Sequence, residues 1–385
     1  MINIAYIFLI LFSFYQQNAE EKNHSIKKSE DSVITVNISV VGDIMCHSTQ
    51  FKWAQVAEDS FDFNPSYKIV RPFLSNPDFT IGNLETVIST NPKKYSGYPT
   101  FQTPADFIGA LKNAGFDILS TANNHSTDGR KKGIITTIET VKEYGLNYAG
   151  SFLNTKDKDS IRIFSANGIT FSVLSYTYGV NIMNLAKDEK FMINLIDTVQ
   201  IKMDIQKIKK ENVDFILVYL HIGDENHRLP NNYQKMITEK VISFGADVIV
   251  CSSPHVLQPI DMVENLKSNC DSTLIAYSLG NFVSNQRWRY SDSGVILSFT
   301  IEKNTITNKK NFGEVSYIPV WVFKGQTEEG NQYIVLPSEF YKIPDKYKYL
   351  TQNDLQLMRQ SLEDSRKILN KFSARPKFKS VLPLN

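Results

Sequence analysis

The chain has 385 residues and a formal net charge of +2, with 42% of its residues hydrophobic and 21% charged. That balance excludes a disordered or fibrous chain. The near-neutral charge gives no pull toward nucleic acid, which we do not expect as a partner.

At the N-terminus, Ile4 to Tyr15 (IAYIFLILFSFY) is an unbroken apolar run. It is shorter than the roughly 20 residues needed to span a bilayer and has the length of a signal-peptide core. We expect 1–19 to be a cleaved signal peptide or a short membrane anchor, making the protein extracytoplasmic. The alternative is a buried strand or helix in an intracellular protein. The charged stretch 20–32 reads as a solvated linker holding His24.

The expected main domain covers 33–345. Val33 to Val41 (VITVNISVV) predicts a strand ending at Gly42-Asp43, and Phe79 to Leu84 a strand ending at Glu85. Ala105 to Asn113 predicts a helix with Phe107, Ile108 and Leu111 on one face. Phe116 to Ala122 predicts a strand that stops at Asn123. Ile134, Ile135, Ile138 and Val141 mark a helix closed by Gly145. Asn167-Gly168 between two β-rich runs predicts a tight hairpin.

A helix is expected over Leu195 to Lys210, then a strand over Phe215 to Leu220 ending at His221. The next helix, Asn231 to Phe244, is expected to turn Tyr233, Met236, Ile237, Val241 and Phe244 inward. Strands over Val248 to Cys251 and Leu274 to Leu279 end near His255 and at Gly280-Asn281. Beyond Ser293, Val295 to Ile301 and Val315 to Val322 alternate like antiparallel strands that complete the domain's edge. The tail, 346–385, holds a polar-faced helix over Thr351 to Phe372. Strand-helix alternation of this kind predicts α/β layers.

Asp43, Glu85, Asn124 with His125, His221, His255 and Asn281 each follow a predicted strand closely. Ligands of open α/β sheets bind at the carboxyl ends of the strands, so these groups are expected on one rim. Five of the six histidines (His47, His125, His221, His227, His255) lie in these loops. Asp, Glu, Asn and His suit Mn, Fe, Zn or Mg. A metal there clamps a tetrahedral or phosphoryl centre while a neighbouring histidine acts as general acid. Each residue also has a bland role open to it: Asp43 and Glu85 as caps, His125 as a turn histidine held by Asp128. Arg130, Lys131 and Lys132 either meet an anion at a helix start or form a solvated basic turn. No Gly-x-Ser-x-Gly elbow supports a serine hydrolase.

Taken in order, "VVGDIMCH", "FTIGNLET", "ANNHSTDGRKKGIITTIE", "YLHIGDE", "GADVIVCSSPHVLQPID" and "YSLGNFV" resemble the poly-gamma-glutamate capsule biosynthesis proteins of the CapA family, over Val33 to Phe323. The resemblance implies a four-layer α/β/β/α sandwich with mixed sheets, of the calcineurin-like metallophosphatase type. It implies Asp43, Glu85, Asn124, His221 and His255 as metal ligands and His125 as the proton donor. Beside these we expect Asp128 to join His125 in catalysis, and His47, Glu225, Arg130 and Asn281 to bind substrate. The resemblance also implies an anionic polymer or its precursor as ligand and a membrane-bound capsule synthesis complex as partner. Two positions depart from the pattern: Met45 stands where a metallophosphatase has histidine, and Ser253 replaces the first imidazole of a His-Pro-His signature. These departures imply one divalent ion rather than two, or none, and leave a non-catalytic binding subunit as the alternative.

The three cysteines, Cys46, Cys251 and Cys270, form no disulfide framework. If the rim assembles, Cys46 and Cys251 become neighbours that could bridge or ligate; two separate buried thiols are the alternative.

Overall fold

The computed structural model describes residues 32–382 apart from residues 183, 184, 373 and 375. The expected signal or anchor segment, His24 and the expected linker, except Ser32, lie outside the described residues. No helix among the described residues is long and apolar enough to cross a membrane.

The elements that build the core begin with β1 (Val33–Ile44), β2 (Phe79–Leu84), α1 (Asp106–Ala114), β3 (Ile118–Ser120), α2 (Arg130–Glu143) and β4 (Asn147–Ala149). Then come β5 (Ile163–Ala166), β6 (Ile169–Thr177), α3 (Thr198–Lys210), β7 (Phe215–His221), α4 (Asn232–Phe244), β8 (Val248–Ser252), β9 (Ile260–Glu264) and β10 (Ser272–Ala276). The last are β11 (Asn281–Val283), β12 (Ser293–Asn304), β13 (Lys310–Thr327), β14 (Gly330–Pro337), α5 (Gln352–Leu369) and β15 (Lys377–Phe378).

Two mixed sheets result. The larger has the order β14-β13-β12-β1-β2-β3-β4, with β11 on the end of β1 and β15 on β13. Its β1 to β4 half is parallel, and its β12 to β14 half antiparallel. The smaller has the order β9-β10-β8-β7-β6-β5, parallel except at the outer strands β5 and β9.

The period-two alternation of β1 puts Val36, Ile38 and Val40 on the face toward the smaller sheet. There they pack with Phe171, Phe215, Leu217, Tyr219, Val248 and Val250 in one core between the sheets. Phe171 stacks on Phe215 at 4.8 Å and meets the edge of Phe79 at 4.8 Å. Outside the larger sheet, α1 and α2 bury Phe107, Ile108, Leu111, Ile134, Ile138 and Val141. Outside the smaller one, α3 and α4 bury Ile201, Ile205, Ile208, Ile237 and Val241. The layers are therefore α/β/β/α, as expected. Each fully buried side chain of this kind contributes about 1.5–3 kcal/mol, so these cores outweigh the surface ion pairs at about 0–1 kcal/mol each.

Local signals set several boundaries. Asp197 caps α3 through the N–H groups of Val199 and Gln200, and Asn231 caps α4 through that of Gln234. The expected hairpin turns at Asn167 (φ 53°) and Gly168 (φ 79°), the left-handed pair such a turn needs.

Three expectations need correction. In α4, Tyr233 and Met236 are exposed at 46% and 42%, and the buried stripe is Gln234, Ile237, Thr238 and Val241. Gln234 can take an inward place because its amide donates to Gln258 Oε1 at 3.0 Å and to the Tyr277 carbonyl at 2.7 Å. The strands beyond Ser293 do not only complete an edge: β12 pairs with β1 from Val33 to Val41 in mid-sheet. Finally, β9 and β14 form where no strand was expected, their pairing supplied by neighbours distant in sequence.

Candidate metal centre

The site begins with a local irregularity. The pairing of β1 with β2 shifts register between Val40 and Asp43, and that of β1 with β11 shifts between Asp43 and Ile44. A bulge of this kind re-aims a side chain. It is possible because residue 42 is glycine: a Cβ there would lie 1.9 Å from the Gly280 carbonyl oxygen. The same oxygen accepts the Asp43 N–H at 2.9 Å, so β1 is tied at the site to the segment that leads into β11. Below it, the Tyr219 hydroxyl donates to the Val41 carbonyl oxygen at 2.7 Å and ties the two sheets together.

Asp43, Glu85 and His221 are fully buried, and their ligand-capable atoms lie within 4.8 Å of one another. His255 joins them, its Nδ1 3.1 Å from Asp43 Oδ2 and its Nε2 3.7 Å from Glu85 Oε1. His221 Nε2 is also 3.7 Å from Glu85 Oε1. The loop that delivers His255 holds two non-glycine residues in left-handed backbone, Ser253 (φ 101°) and His255 itself (φ 57°). Strain of about 1–3 kcal/mol per residue is typical of functional sites. Asn281 holds His255 from behind, with Oδ1 3.1 Å from Nδ1.

The electrostatics are those of charges gathered out of water. Burial pushes the Glu85 carboxyl well above its usual range, and the Asp43 charge pushes it further. Burial would also raise Asp43, but the hydrogen bond and charge of His255, with the charge of His221, hold it lower. Burial lowers His221 to about 3. For His255 the carboxylates Glu85 and Asp43 overcome burial and raise it to about 10.

This donor set fits a divalent ion. Among the described residues, Glu85 Oε1 and His221 Nε2 are buried without a hydrogen-bond partner, and so is Asn124 Oδ1. Leaving such atoms unpaired costs about 1–3 kcal/mol each. The other ring nitrogen of His221 is 3.0 Å from Ser252 Oγ, which can accept Nδ1–H and leave the Nε2 lone pair to ligate. Two buried carboxylates this close repel unless positive charge lies between them.

His125 forms the adjoining wall. Its Nδ1 is 2.7 Å from Asp128 Oδ2, which also accepts the Phe101 N–H at 2.6 Å. Its Nε2 is 3.5 Å from the Asn181 amide nitrogen. Phe101 meets the rings of His125 and His47 edge-on, at 4.6 and 4.9 Å. Burial lowers His47 to about 4.

The remaining expected residues are placed differently. Glu225 is exposed, yet its charge acts on Glu85 and His255. Arg130 is exposed at the start of α2 and shares no hydrogen bond or ion pair with the cluster among the described residues. Lys131 pairs with Glu189 at 2.7 Å, as in a solvated basic turn. His227 is exposed, its Nδ1 on the Glu225 carbonyl. The Ser253 hydroxyl donates to the Gly223 carbonyl at 3.2 Å, and Met45 is packed with its sulfur against Ser284 Oγ. Cys46 and Cys251 are unpaired, lie in different cores, and are each pushed up to about 12 by burial. They are the two separate thiols.

Three site residues escape a reading of the sequence. The Asn83 amide donates to Asp43 Oδ1 at 2.8 Å and lies 3.3 Å from His221 Nδ1 and 3.5 Å from Glu85 Oε2. Asn123 donates to Asn83 Oδ1 and to the Leu84 carbonyl, and accepts the His125 N–H. Phe101 carries no local signal at all. The two asparagines lie in the "GNLET" and "NNH" motifs, one beside Glu85 and the other beside Asn124 and His125, the residues expected there.

The profile of the bacterial capsule synthesis protein PGA_cap matches residues 37–286, which include every residue of this cluster. The chain belongs to that family. This capsule synthesis family member is 30% identical over 287 residues to the capsule biosynthesis protein CapA of Bacillus anthracis, an alignment spanning 72% of this chain and just under two thirds (66%) of that protein. It is 27% identical over 306 residues to the PGA biosynthesis protein CapA of Bacillus subtilis (strain 168), spanning 79% and 77%. Among solved structures it is similar to the calcineurin-like phosphoesterase YfkN of Bacillus subtilis, with a TM-score of 0.42 and 13% identity over 87% of this chain and 99% of that one. That likeness is distant, and the layered architecture stands on the strand pairing and the cores described above.

Proposed function

We propose that this chain serves the synthesis or export of an anionic capsule polymer of the poly-gamma-glutamate type, through a metal-assisted hydrolase or transferase site. The observation that carries the chemistry is the buried Asp43–Glu85–His221 cradle, with Glu85 Oε1 and His221 Nε2 unpaired. Family membership and the names of the two CapA relatives support the polymer.

Asp43, Glu85 and His221 would hold the ion, with His255 and Asn124 completing the set. When bound, a divalent ion of the Mn, Fe, Zn or Mg class supplies Lewis-acid polarisation and a more acidic water. Because Ser253 is engaged with Gly223, we assign one ion rather than two. His125 acts as general acid: Asp128 fixes its Nδ1 and directs Nε2 toward the leaving group. Phe101 excludes water from one side of that ring. Burial removes the solvent that would screen these charges. We place the protein outside the cytoplasm on the strength of the Ile4 to Tyr15 run, as one part of a membrane-bound capsule synthesis complex.

The test is metal content after purification with manganese, followed by turnover of a generic phosphodiester with and without manganese. Stoichiometric metal that Glu85→Gln and His221→Ala abolish, together with manganese-dependent turnover, is the expected result. No stoichiometric metal and no turnover would overturn it. The second reading, a non-catalytic polymer- or partner-binding subunit, would then stand; the engaged Ser253 and packed Met45 favour it.

A further inference from the structure

His47 shares the Phe101 ring with His125 and leads from there to a second polar group. The Asn285 N–H donates to His47 Nδ1 at 3.3 Å. The Asn285 side-chain oxygen accepts from Lys324 Nζ at 2.9 Å and from the Tyr333 hydroxyl at 2.6 Å. Lys324 and Tyr333 face each other across β13 and β14. The Lys324 ammonium lies 5.4 Å from the ring centroid of Trp53 and 5.5 Å from that of Tyr333. Those two rings are 5.2 Å apart. Arg287 stands over Trp321 at 4.9 Å, with its Nε buried and without a hydrogen-bond partner. Its charge reaches both Lys324 and Tyr333.

The charge balance of this group differs from that of the ion-paired cations. Several partly buried cations have an acid: Arg162 has Asp157 at 2.6 Å, and Lys303 and Lys310 share Asp214. Neither Lys324 nor Arg287 has a carboxylate within ion-pair distance among the described residues; Lys324 feels the Arg287 charge, while Asp292 and Asp354 act on Arg287 from beyond that distance. An ammonium partly out of water that also feels a second cation is unfavourable until an anion joins it. Lys324, Trp53, Asn285 and Arg287 are only partly covered, so an anion can reach them. Asn285 and Tyr333 fix the ammonium in place, and the half-open Trp53 ring offers an apolar face to methylene groups.

We propose that Lys324 and Arg287, framed by Asn285, Tyr333 and Trp53, form an anion subsite that holds a carboxylate of the substrate chain beside the metal centre. The choice of a carboxylate rests on the polymer reading above. The subsite makes substrate recognition local: one acidic group is held at Lys324 while another part of the same chain reaches His47 and the cluster beyond it.

The experiment is calorimetric titration of the full chain with short γ-linked oligoglutamate, with the γ-linked oligoglutamine counterpart, and with inorganic phosphate, with and without manganese. Oligoglutamate should bind and oligoglutamine should not. Lys324→Met should weaken oligoglutamate binding by about tenfold or more, the loss of one hydrogen bond to a charged group. Lys324→Arg should retain most of the affinity, and Arg287→Gln should weaken it like Lys324→Met. Thermal melting of Lys324→Met should match the parent, which separates lost recognition from lost folding. Unchanged oligoglutamate affinity in Lys324→Met overturns the proposal, as does equal binding of oligoglutamine. Phosphate binding without oligoglutamate binding overturns the carboxylate assignment. Lys324-dependent binding in a protein without metal or turnover keeps the subsite and sinks the catalytic reading. Metal and turnover with Lys324-independent binding do the reverse.

Discussion

Asn83 touches Asp43, Glu85 and His221 with one amide and is held in turn by Asn123. Its NH2 group donates to Asp43 and its Oδ1 accepts from Asn123, so a neutral side chain lies between two carboxylates without adding charge. His125 differs in kind, since Asp128 holds Nδ1 while Nε2 lies 3.5 Å from the Asn181 amide nitrogen. His125→Gln is expected to lower manganese-dependent turnover by about 10²–10⁴-fold, with metal content unchanged by atomic spectroscopy. Turnover equal to the parent would remove His125 from the chemistry. The charged residues of the site were legible because strand ends that carry Asp, Glu or His are distinctive. Asn83, Asn123 and Phe101 were not, because their roles depend on partners 27 to 138 positions away.

Elements were legible where periodicity was strong. The Phe79 to Leu84 strand has the bounds expected, and α3 and α4 start directly after their Asp197 and Asn231 caps. The bulge at the end of β1 was not legible, although it re-aims Asp43. It depends on Gly42 admitting the Gly280 carbonyl. Gly42→Ala should destabilise the fold by about 1–3 kcal/mol through overpacking, read as a lower urea midpoint, and should weaken manganese binding as Asp43 shifts. An unchanged midpoint would show that the contact relaxes freely. The exposed Tyr233 and Met236 make a related point. Helical spacing fixes a stripe's period but not its phase, and Gln234 takes the inward position because its partners lie on other strands.

The two sheets are joined across the whole molecule by the inter-sheet core and by Asp214. Asp214 precedes β7 and pairs with Lys303 of β12 at 2.8 Å and Lys310 of β13 at 3.4 Å. Burial would raise its carboxyl, but the Lys303 and Thr170 hydrogen bonds and the lysine charges hold it below its usual value. Its native form therefore binds the proton less tightly than the unfolded chain. The stabilisation is complete above the unfolded value of about 3.9 and fades as pH falls through the native one. Asp214→Asn should lower the urea midpoint at neutral pH, and the gap to the parent should narrow as pH drops below about 4. A gap independent of pH would exclude the ion pairs as its cause. Manganese should raise the melting temperature of the parent in proportion to its excess over Kd, and raise that of Glu85→Gln less.

By itself the sequence determined the α/β character, most strand and helix positions, and the charged members of the cluster. Those depend on local periodicity, capping and residue chemistry, which a linear chain displays. The tertiary structure alone decided the placement of β12 against β1, the Asn83 and Asn123 bridge, and the separation of Cys46 from Cys251. It also decided the gathering of Asn285 and Lys324 beside His47. Each of these depends on segments far apart in the chain, and is set by strand order within each sheet and by how the two sheets pack.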